Sequence, residues 1–575
     1  MILSTLDWIL IISFFVISLL VGVLVYFKSS KNVDSFFLSN RNMPWWLLGV
    51  SMVATTFAAD TPGLVAGIVR TDGVYGNWIW WAFLLTGMLT VFFYAKLWRK
   101  SNITTDLEFY EIRYSGKSAA FLRGFRAIYL GVFFNIIIMA TVCLAAIKIG
   151  HVMFGFSELQ TLVIASIVTV VYSLLGGLKG VLITDFIQFI IAMVGSIWAS
   201  IYIINLPEIG GLDKLLSNEN VIAKTPIFPD FSNLEVLIPL IIIPIAVQWW
   251  SVWYPGAEPG GGGYIAQRML AAKDEKNAIA ATLFFNIAHY ALRPWPWIMI
   301  GLASLVIYPN LSDLATAFPE LDQSFIKDDL SYPAMLSFLP SGLLGIVVTS
   351  LIAAFMSTIS THLNWGSSYV VNDFYARFVD KNASEKKKVL VGRISTLVMM
   401  FLACLLSLVL EEARDAFNLL LQIGAGTGLL FILRWFWYRI NPFSEITAMI
   451  VSFLVAIFFF VNSKLDQPWF ELASHWQLVI GVVVTTLSWI VVSFLTQPSS
   501  QEKLSAFEKL VFGNESKFKN INYKVLAFIT ATIGVYALLF GTGYFIYQEI
   551  TKAIIAILVA IIAFSVIVIY WKKIV

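Results

Sequence analysis

Trp253-Tyr254-Pro255-Gly256-Ala257-Glu258-Pro259-Gly260-Gly261-Gly262-Gly263-Tyr264 lies within an apolar run that starts near residue 235 and continues to 272. Two prolines and five glycines in these twelve residues forbid a continuous helix. Proline lacks the donor N–H and clashes with the preceding turn, and each glycine costs about 1 kcal/mol against alanine. A matching interruption stands at Ser51-Met52-Val53-Ala54-Thr55-Thr56-Phe57-Ala58-Ala59-Asp60-Thr61-Pro62-Gly63, where Asp60, Pro62 and Gly63 fall in the middle of another apolar run. Irregular backbone inside hydrocarbon is tolerated only where it lines a cavity.

The rest of the chain supplies the membrane. Of its 575 residues 59% are hydrophobic and 13% charged, with a mean hydropathy of +0.82; a soluble chain is about 45–50% apolar and about 25% charged. Each crossing needs about 20 apolar residues. Apolar runs fall at about 6–27, 45–69, 75–97, 124–149, 158–176, 180–205, 235–272, 278–307, 341–375, 389–410, 415–438, 445–462, 476–496, 523–546 and 551–571, fifteen elements numbered here as helices 0 to 14. The two interruptions open helices 1 and 6. Helices 1–5 and 6–10 therefore form two units of five, and because five is odd the second enters the membrane from the opposite side. That is the inverted repeat of secondary transporters, with a binding site at the breaks near the midplane. The expected division is 1–44 for helix 0 and its inner loop, 45–205 and 235–440 for the repeats, and 441–575 for four C-terminal helices.

Basic residues mark the cytoplasmic side. With the N-terminus outside, 28 of the 38 Lys and Arg fall on inner segments, eight on outer ones, and Arg293 and Arg434 within spans. The expectation is a multi-pass plasma (inner) membrane protein with a cytoplasmic C-terminus. Asp7 stands where a cleavable signal would be basic. Outer loop 308–333 is acidic, Pro333–Leu339 is expected to form a short surface helix, and the charged inner loop 497–522 is expected to be flexible. A net charge of +3 offers nothing to nucleic acid, and no obligate protein partner is evident. Cys143 and Cys404 lie inside apolar runs, and His151, His289, His362 and His475 have no metal-ligand spacing.

Helix 8 reads Ala353-Ala354-Phe355-Met356-Ser357-Thr358-Ile359-Ser360-Thr361-His362. Ser357, Ser360 and Thr361 share a face at spacings of three and four, with Thr358 beside it. Clustered hydroxyls are hard oxygen ligands for a hard cation, although Ser and Thr also bond back to helical carbonyls. In helix 5, Asp185 opens an otherwise uncharged run. A buried carboxylate needs a partner, either a basic side chain or a bound cation.

Three stretches resemble the sodium:solute symporter family of sodium–sugar, sodium–proline and sodium–sialic acid carriers. They are Gly-Gly-Leu-Lys-Gly-Val-Leu-Ile-Thr-Asp-Phe-Ile-Gln at 176–188, Tyr-Ile-Ala-Gln-Arg-Met-Leu-Ala-Ala-Lys-Asp at 264–274, and Ala-Ala-Phe-Met-Ser-Thr-Ile-Ser-Thr at 353–361 followed by Asn364 and Asp373-Phe374-Tyr375. The resemblance covers roughly residues 1–440. It implies an all-α leucine-transporter fold, a five-plus-five inverted repeat that works by alternating access. It also implies a principal sodium site at Ala54, Phe57, Ala354, Ser357 and Thr358. Asp185, Ser360 and Thr361, with Ser357, match the second sodium site of some members, so one or two Na+ ions are coupled. The chain departs from the family's sugar carriers at Pro255–Gly263 and at Asp60-Thr61, both beside the substrate pocket.

The reading that follows is a sodium-coupled symporter, not an enzyme, that imports a small polar organic solute. Candidate substrate contacts are Thr56, Asp60, Thr61, Trp253, Tyr254, Glu258, Tyr290 and Arg293. The aromatic supply near helix 6 leans to a sugar or polyol. Arg293 instead favours a carboxylated solute (an amino acid, sialic acid or organic acid), unless it pairs with Glu258 or Asp60. A proton-coupled carrier using Asp185 is the nearest rival. A membrane enzyme using Asp60, Glu258, His289 or His362 has no nucleophile motif behind it, and a sensor has no signalling domain after helix 14.

Overall fold

The computed structural model describes residues 3–29, 37–248, 258–410, 418, 420–465 and 467–575. Ten helices among them are long and apolar enough to cross a bilayer, and Trp45–Thr56 with Thr61–Asp72 makes an eleventh span bent by 57°. Thr5–Val21, Glu158–Val171 and Leu234–Ala246 are shorter apolar helices.

The bend in helix 1 has local causes. The first half ends at Phe57, whose ψ of 74° leaves the helical region. The second half starts at Thr61 with Pro62 in its first turn, where the missing N–H is one of the donors that has no intrahelical acceptor anyway. Gly73, at φ 89°, closes it. Gly63 and Gly67 let the acidic loop 308–333 approach this half-helix. A Cβ at Gly63 would lie 3.1 Å from the Asp329 carbonyl oxygen. The loop is then clamped by Arg70 to Asp328 at 2.8 Å and Lys148 to Asp329 at 2.7 Å. The short helix expected on the surface at 333–339 instead runs Ser331–Leu336 and is buried throughout.

Helices 4 and 5 form one unbroken helical assignment, Glu158–Ile204. It cannot be straight. Ile164 and Thr169 line a cavity with Leu351 and Met356, and Gly195 faces Ile346 and Val347. Thirty residues of helix would span about 45 Å, whereas the facing part of helix 8 spans about 15 Å. Within Glu158–Ile204, the part Leu178–Ile204 is long and apolar enough to cross the bilayer by itself, and Glu158–Val171 is a shorter apolar helix.

Helix 6 is described as Leu234–Ala246 and, beyond the interruption, Gly263–Ala271. Gly260 and Gly261 have φ of 86° and 90°, a region that only glycine enters at no steric cost. A further interruption lies in helix 7. Glu275–Ile287 passes into a π-helical turn, Ala288–Leu292, and the α-helix restarts at Pro294 after Arg293. Segment 497–522, expected to be a flexible inner loop, is not loose: Gln501–Phe512 is a helix that buries Phe507 and Val511. Helices 13 and 14, Ile521–Ile546 and Ile550–Ile574, pack as a hairpin. Helix 13 is tied to helices 2 and 7 by Tyr536 Oη donating to the Trp81 carbonyl and Trp295 Nε1 to the Leu539 carbonyl, each 2.9 Å.

Candidate functional site

A cavity of about 120 Å³ opens at the break in helix 1. Its walls are Thr55, Thr56, Ala58, Asp60, Thr61, Leu64 and Val65 from helix 1, Trp80 from helix 2, and Ile138, Thr141 and Val142 from helix 3. Arg293, Thr358, His362 and Leu420 close it. The unwound stretch brings Asp60 to the start of the second half-helix. The π turn and Pro294 bring Arg293 to the facing side, and single π turns of this kind often mark functional positions.

Arg293 is 2% exposed. Its guanidinium donates to Thr56 Oγ1 at 3.3 Å, meets His289 Nε2 at 3.3 Å, and lies over the Trp297 ring at 5.4 Å. Its Nε has no hydrogen-bond partner, and neither has Asp60 Oδ1, which is itself buried. Among the ion pairs of the described residues none joins Asp60 to Arg293 or Glu258 to Arg293. Glu258 is held elsewhere, 2.7 Å from Arg126 of helix 3, in a buried group with Glu445 and Arg434.

Immediately below the break a second polar cluster joins helices 1, 5, 6 and 8. Asp185 is fully buried and accepts from Ser51 at 2.5 Å and Ser357 at 2.6 Å. Arg268, also fully buried, donates to Thr361 at 2.9 Å and to Ser51 at 3.3 Å, and lies 4.0 Å from Asp185. Thr358 donates to the Thr55 carbonyl at 2.9 Å, so helix 8 reaches the backbone of helix 1 between Ala54 and Phe57.

A family model described as "Sodium:solute symporter family" matches residues 36–452. The chain belongs to this family. Sequence relatives include a sodium/glucose cotransporter of Vibrio parahaemolyticus, 24% identical, aligned over 80% of this chain and 85% of that one. A sodium/proline symporter of Haemophilus influenzae is 27% identical over 85% and 95% of the two chains. A sodium/sialic acid symporter of Proteus mirabilis is 26% identical over 81% and 92%. A solved structure of a Na+-coupled sialic acid symporter, in a substrate-bound outward-open state, superposes with a TM-score of 0.66 at 21% identity, covering 87% of this chain and 99% of that one. The fold of this symporter-family chain is therefore the leucine-transporter fold, with the added N-terminal helix and four C-terminal helices.

Thr56, Asp60, Thr61 and Arg293, read from the sequence as substrate contacts, come together on the cavity. Glu258 does not line it, and neither does Tyr290, which stacks behind Trp80 with ring centroids 5.9 Å apart. Trp253 and Tyr254 lie outside the described residues. Ala54, Phe57, Ala354, Ser357 and Thr358 are all buried along the contact of helices 1 and 8. Of the residues read as a second sodium site, Asp185 and Ser357 bond each other, Arg268 holds Thr361, and Ser360 bonds back to the Ser357 carbonyl at 3.1 Å. Arg268 lies 4.0 Å from Asp185 and 2.9 Å from Thr361, two of those residues.

Sequence reasoning missed Arg268 as a site residue, counting it with the inner-loop cations, although it sits in the quoted Gln267-Arg268 pair. It also missed the break at Arg293-Pro294-Trp295-Pro296-Trp297, whose two prolines in mid-span are a legible signal. The pairing of His362 with Asn135, 2.5 Å apart, has no signature in the sequence.

Proposed function

We propose that this protein is a sodium-coupled symporter that carries a small polar organic solute across the membrane by alternating access. The observation that carries the reading is the cavity at the helix 1 break, with the Thr358 hydroxyl on the Thr55 carbonyl at its floor. A sodium held by the Ala54, Phe57 and Ala354 carbonyls and the Ser357 and Thr358 hydroxyls would tie helix 1 to helix 8, with the solute in the cavity above it. Sodium entry then favours the state in which the two helices are joined, and ligand binding shifts the conformational population by its difference in affinity between states. The 1–44, 45–205, 235–440 and 441–575 division fits this cycle, since each repeat contributes one broken helix.

Arg268 beside Asp185 supplies one positive charge to the second cluster, which supports a single coupled sodium. A membrane potential contributes about 2.3 kcal/mol per charge per 100 mV to import. The 120 Å³ cavity is far below the roughly 300–1,000 Å³ of pockets for drug-sized ligands, which favours a compact solute. Among the described Trp, Tyr and Phe residues, Trp80 alone lines it. Two charged walls favour a charged solute over a sugar or polyol. Uptake into proteoliposomes under an inward sodium gradient, against equal potassium and against a proton gradient alone, tests the reading. Uptake driven by protons without sodium would replace it with the proton-coupled carrier.

A further inference from the structure

We infer that the central cavity recognises a small zwitterion, with its carboxylate at Arg293 and its ammonium at Asp60. The inference rests on the symport reading above and names the substrate class of the same site.

Two opposite charges line one small cavity, and each keeps a polar atom without a partner: Asp60 Oδ1 and Arg293 Nε. The groups that do engage Arg293 are neutral, the Thr56 hydroxyl, the His289 ring and the Trp297 face. No carboxylate forms an ion pair with it among the described residues, because Glu258 is taken by Arg126, Asp329 by Lys148 and Asp328 by Arg70. Burying a charge without a counter-charge is costly. The other buried cations described above, Arg70, Arg126, Lys148 and Arg268, each face a carboxylate within 4.0 Å. Arg113 and Arg293, each 2% exposed, face none among the described residues; Arg113 donates to the Arg434 and Trp437 carbonyls, whereas Arg293 lines the cavity at the helix break.

The solute must complete this electrostatic set. A neutral sugar would bond to both groups but bring no charge to either. A simple anion would meet Arg293 but be repelled by Asp60, and a simple cation would meet the reverse. A molecule carrying both charges satisfies both walls at once.

The test uses the purified full-length protein in detergent, with thermal unfolding measured in sodium and in potassium. The zwitterions are L-alanine, L-proline, β-alanine and γ-aminobutyrate. The controls are N-acetyl-L-alanine for the carboxylate alone, L-alaninamide for the ammonium alone, and glucose and myo-inositol for neither. At least one zwitterion should raise the unfolding temperature by several degrees in sodium, at a concentration where all four controls leave it unchanged. Asp60→Asn and Arg293→Gln should each weaken that response at least tenfold in ligand concentration. Asp60→Asn should narrow the gap between L-alanine and N-acetyl-L-alanine, and Arg293→Gln the gap between L-alanine and L-alaninamide.

A shift from glucose or myo-inositol equal to that from any zwitterion overturns the inference, as does silence from all four zwitterions. Sodium alone is the separate check on symport. If sodium stabilises the protein and no zwitterion does, only the substrate class falls. If a zwitterion stabilises it equally in potassium, only the sodium coupling falls. The wild-type panel decides the matter even if a variant does not fold.

Discussion

The cavity at the helix 1 break and the cluster just beneath it contain the same pair of side-chain types, an aspartate and an arginine on different helices. They use them in opposite ways. Below, Asp185 and Arg268 are fully buried, 4.0 Å apart, and joined through Ser51, with Ser357 and Thr361 at the two ends. Above, Asp60 and Arg293 share a wall and bond to neither each other nor a common bridge. A charge pair that is satisfied internally fixes helix positions. A pair left open has to be completed by something that arrives. The Arg126–Glu258 pair at 2.7 Å joins helix 3 to the helix 6 interruption, although Glu258 Oε2 and Arg126 Nε keep no partner.

The comparison breaks most readily at the closed pairs. Arg126→Met strands the Glu258 carboxylate, whose second oxygen already has no partner; the expected loss is about 3–5 kcal/mol, read as poor expression and a lower unfolding temperature, with recovery in Arg126→Met/Glu258→Met. Equal stability of Arg126→Met and wild type would mean the pair fixes nothing. Asp185→Asn removes the counter-charge of Arg268 but keeps Ser51 and Ser357 within reach, so about 1.5–3 kcal/mol is expected. The sodium Hill coefficient of uptake should stay near one in both wild type and Asp185→Asn. A wild-type value near two that falls in the mutant would restore the second sodium and displace Arg268 from that role.

Thr358→Ala sharpens the boundary between the two regions. It removes the hydroxyl that reaches the helix 1 backbone, and apparent sodium affinity should drop at least tenfold, about 1.4 kcal/mol, while the unfolding temperature without sodium changes little. Unaltered sodium dependence would move the ion elsewhere. The smallest effect on stability is expected at the open pair. Asp60→Asn neutralises a charge that no cation pairs with, so unfolding in the absence of solute should be unchanged or slightly later, in contrast to Asp185→Asn. A large destabilisation by Asp60→Asn would make the two regions alike and leave Asp60 a structural group.

Much of the architecture was legible in the chain because lipid imposes simple rules. A span must be long, apolar and internally bonded, so Pro62, Gly63 and Pro255–Gly263 read as interruptions with a purpose. Spacings of three and four put Ser357, Ser360 and Thr361 on one face of helix 8 without any knowledge of a neighbour. The same reasoning erred where a polar segment found a partner. Gln501–Phe512 looked loose because its charges were counted and the spacing of Phe507 and Val511 was not, and Ser331–Leu336 looked superficial because nothing in it announces the second half of helix 1, against which it packs.

By itself, then, the sequence determined the membrane class, the break in helix 1 and the hydroxyl face of helix 8, all of which follow from local covalent constraints and from the solvent. Which charge meets which was decided by tertiary structure alone. Arg126 and Glu258 are 132 residues apart, Arg268 and Thr361 are 93, and the depth and rotation of each helix set those meetings. Glu258, Asp60 and Asp185 are alike as carboxylates in apolar runs. Only packing gave Arg126 to the first, Arg268 to the third, and left the second facing a cavity.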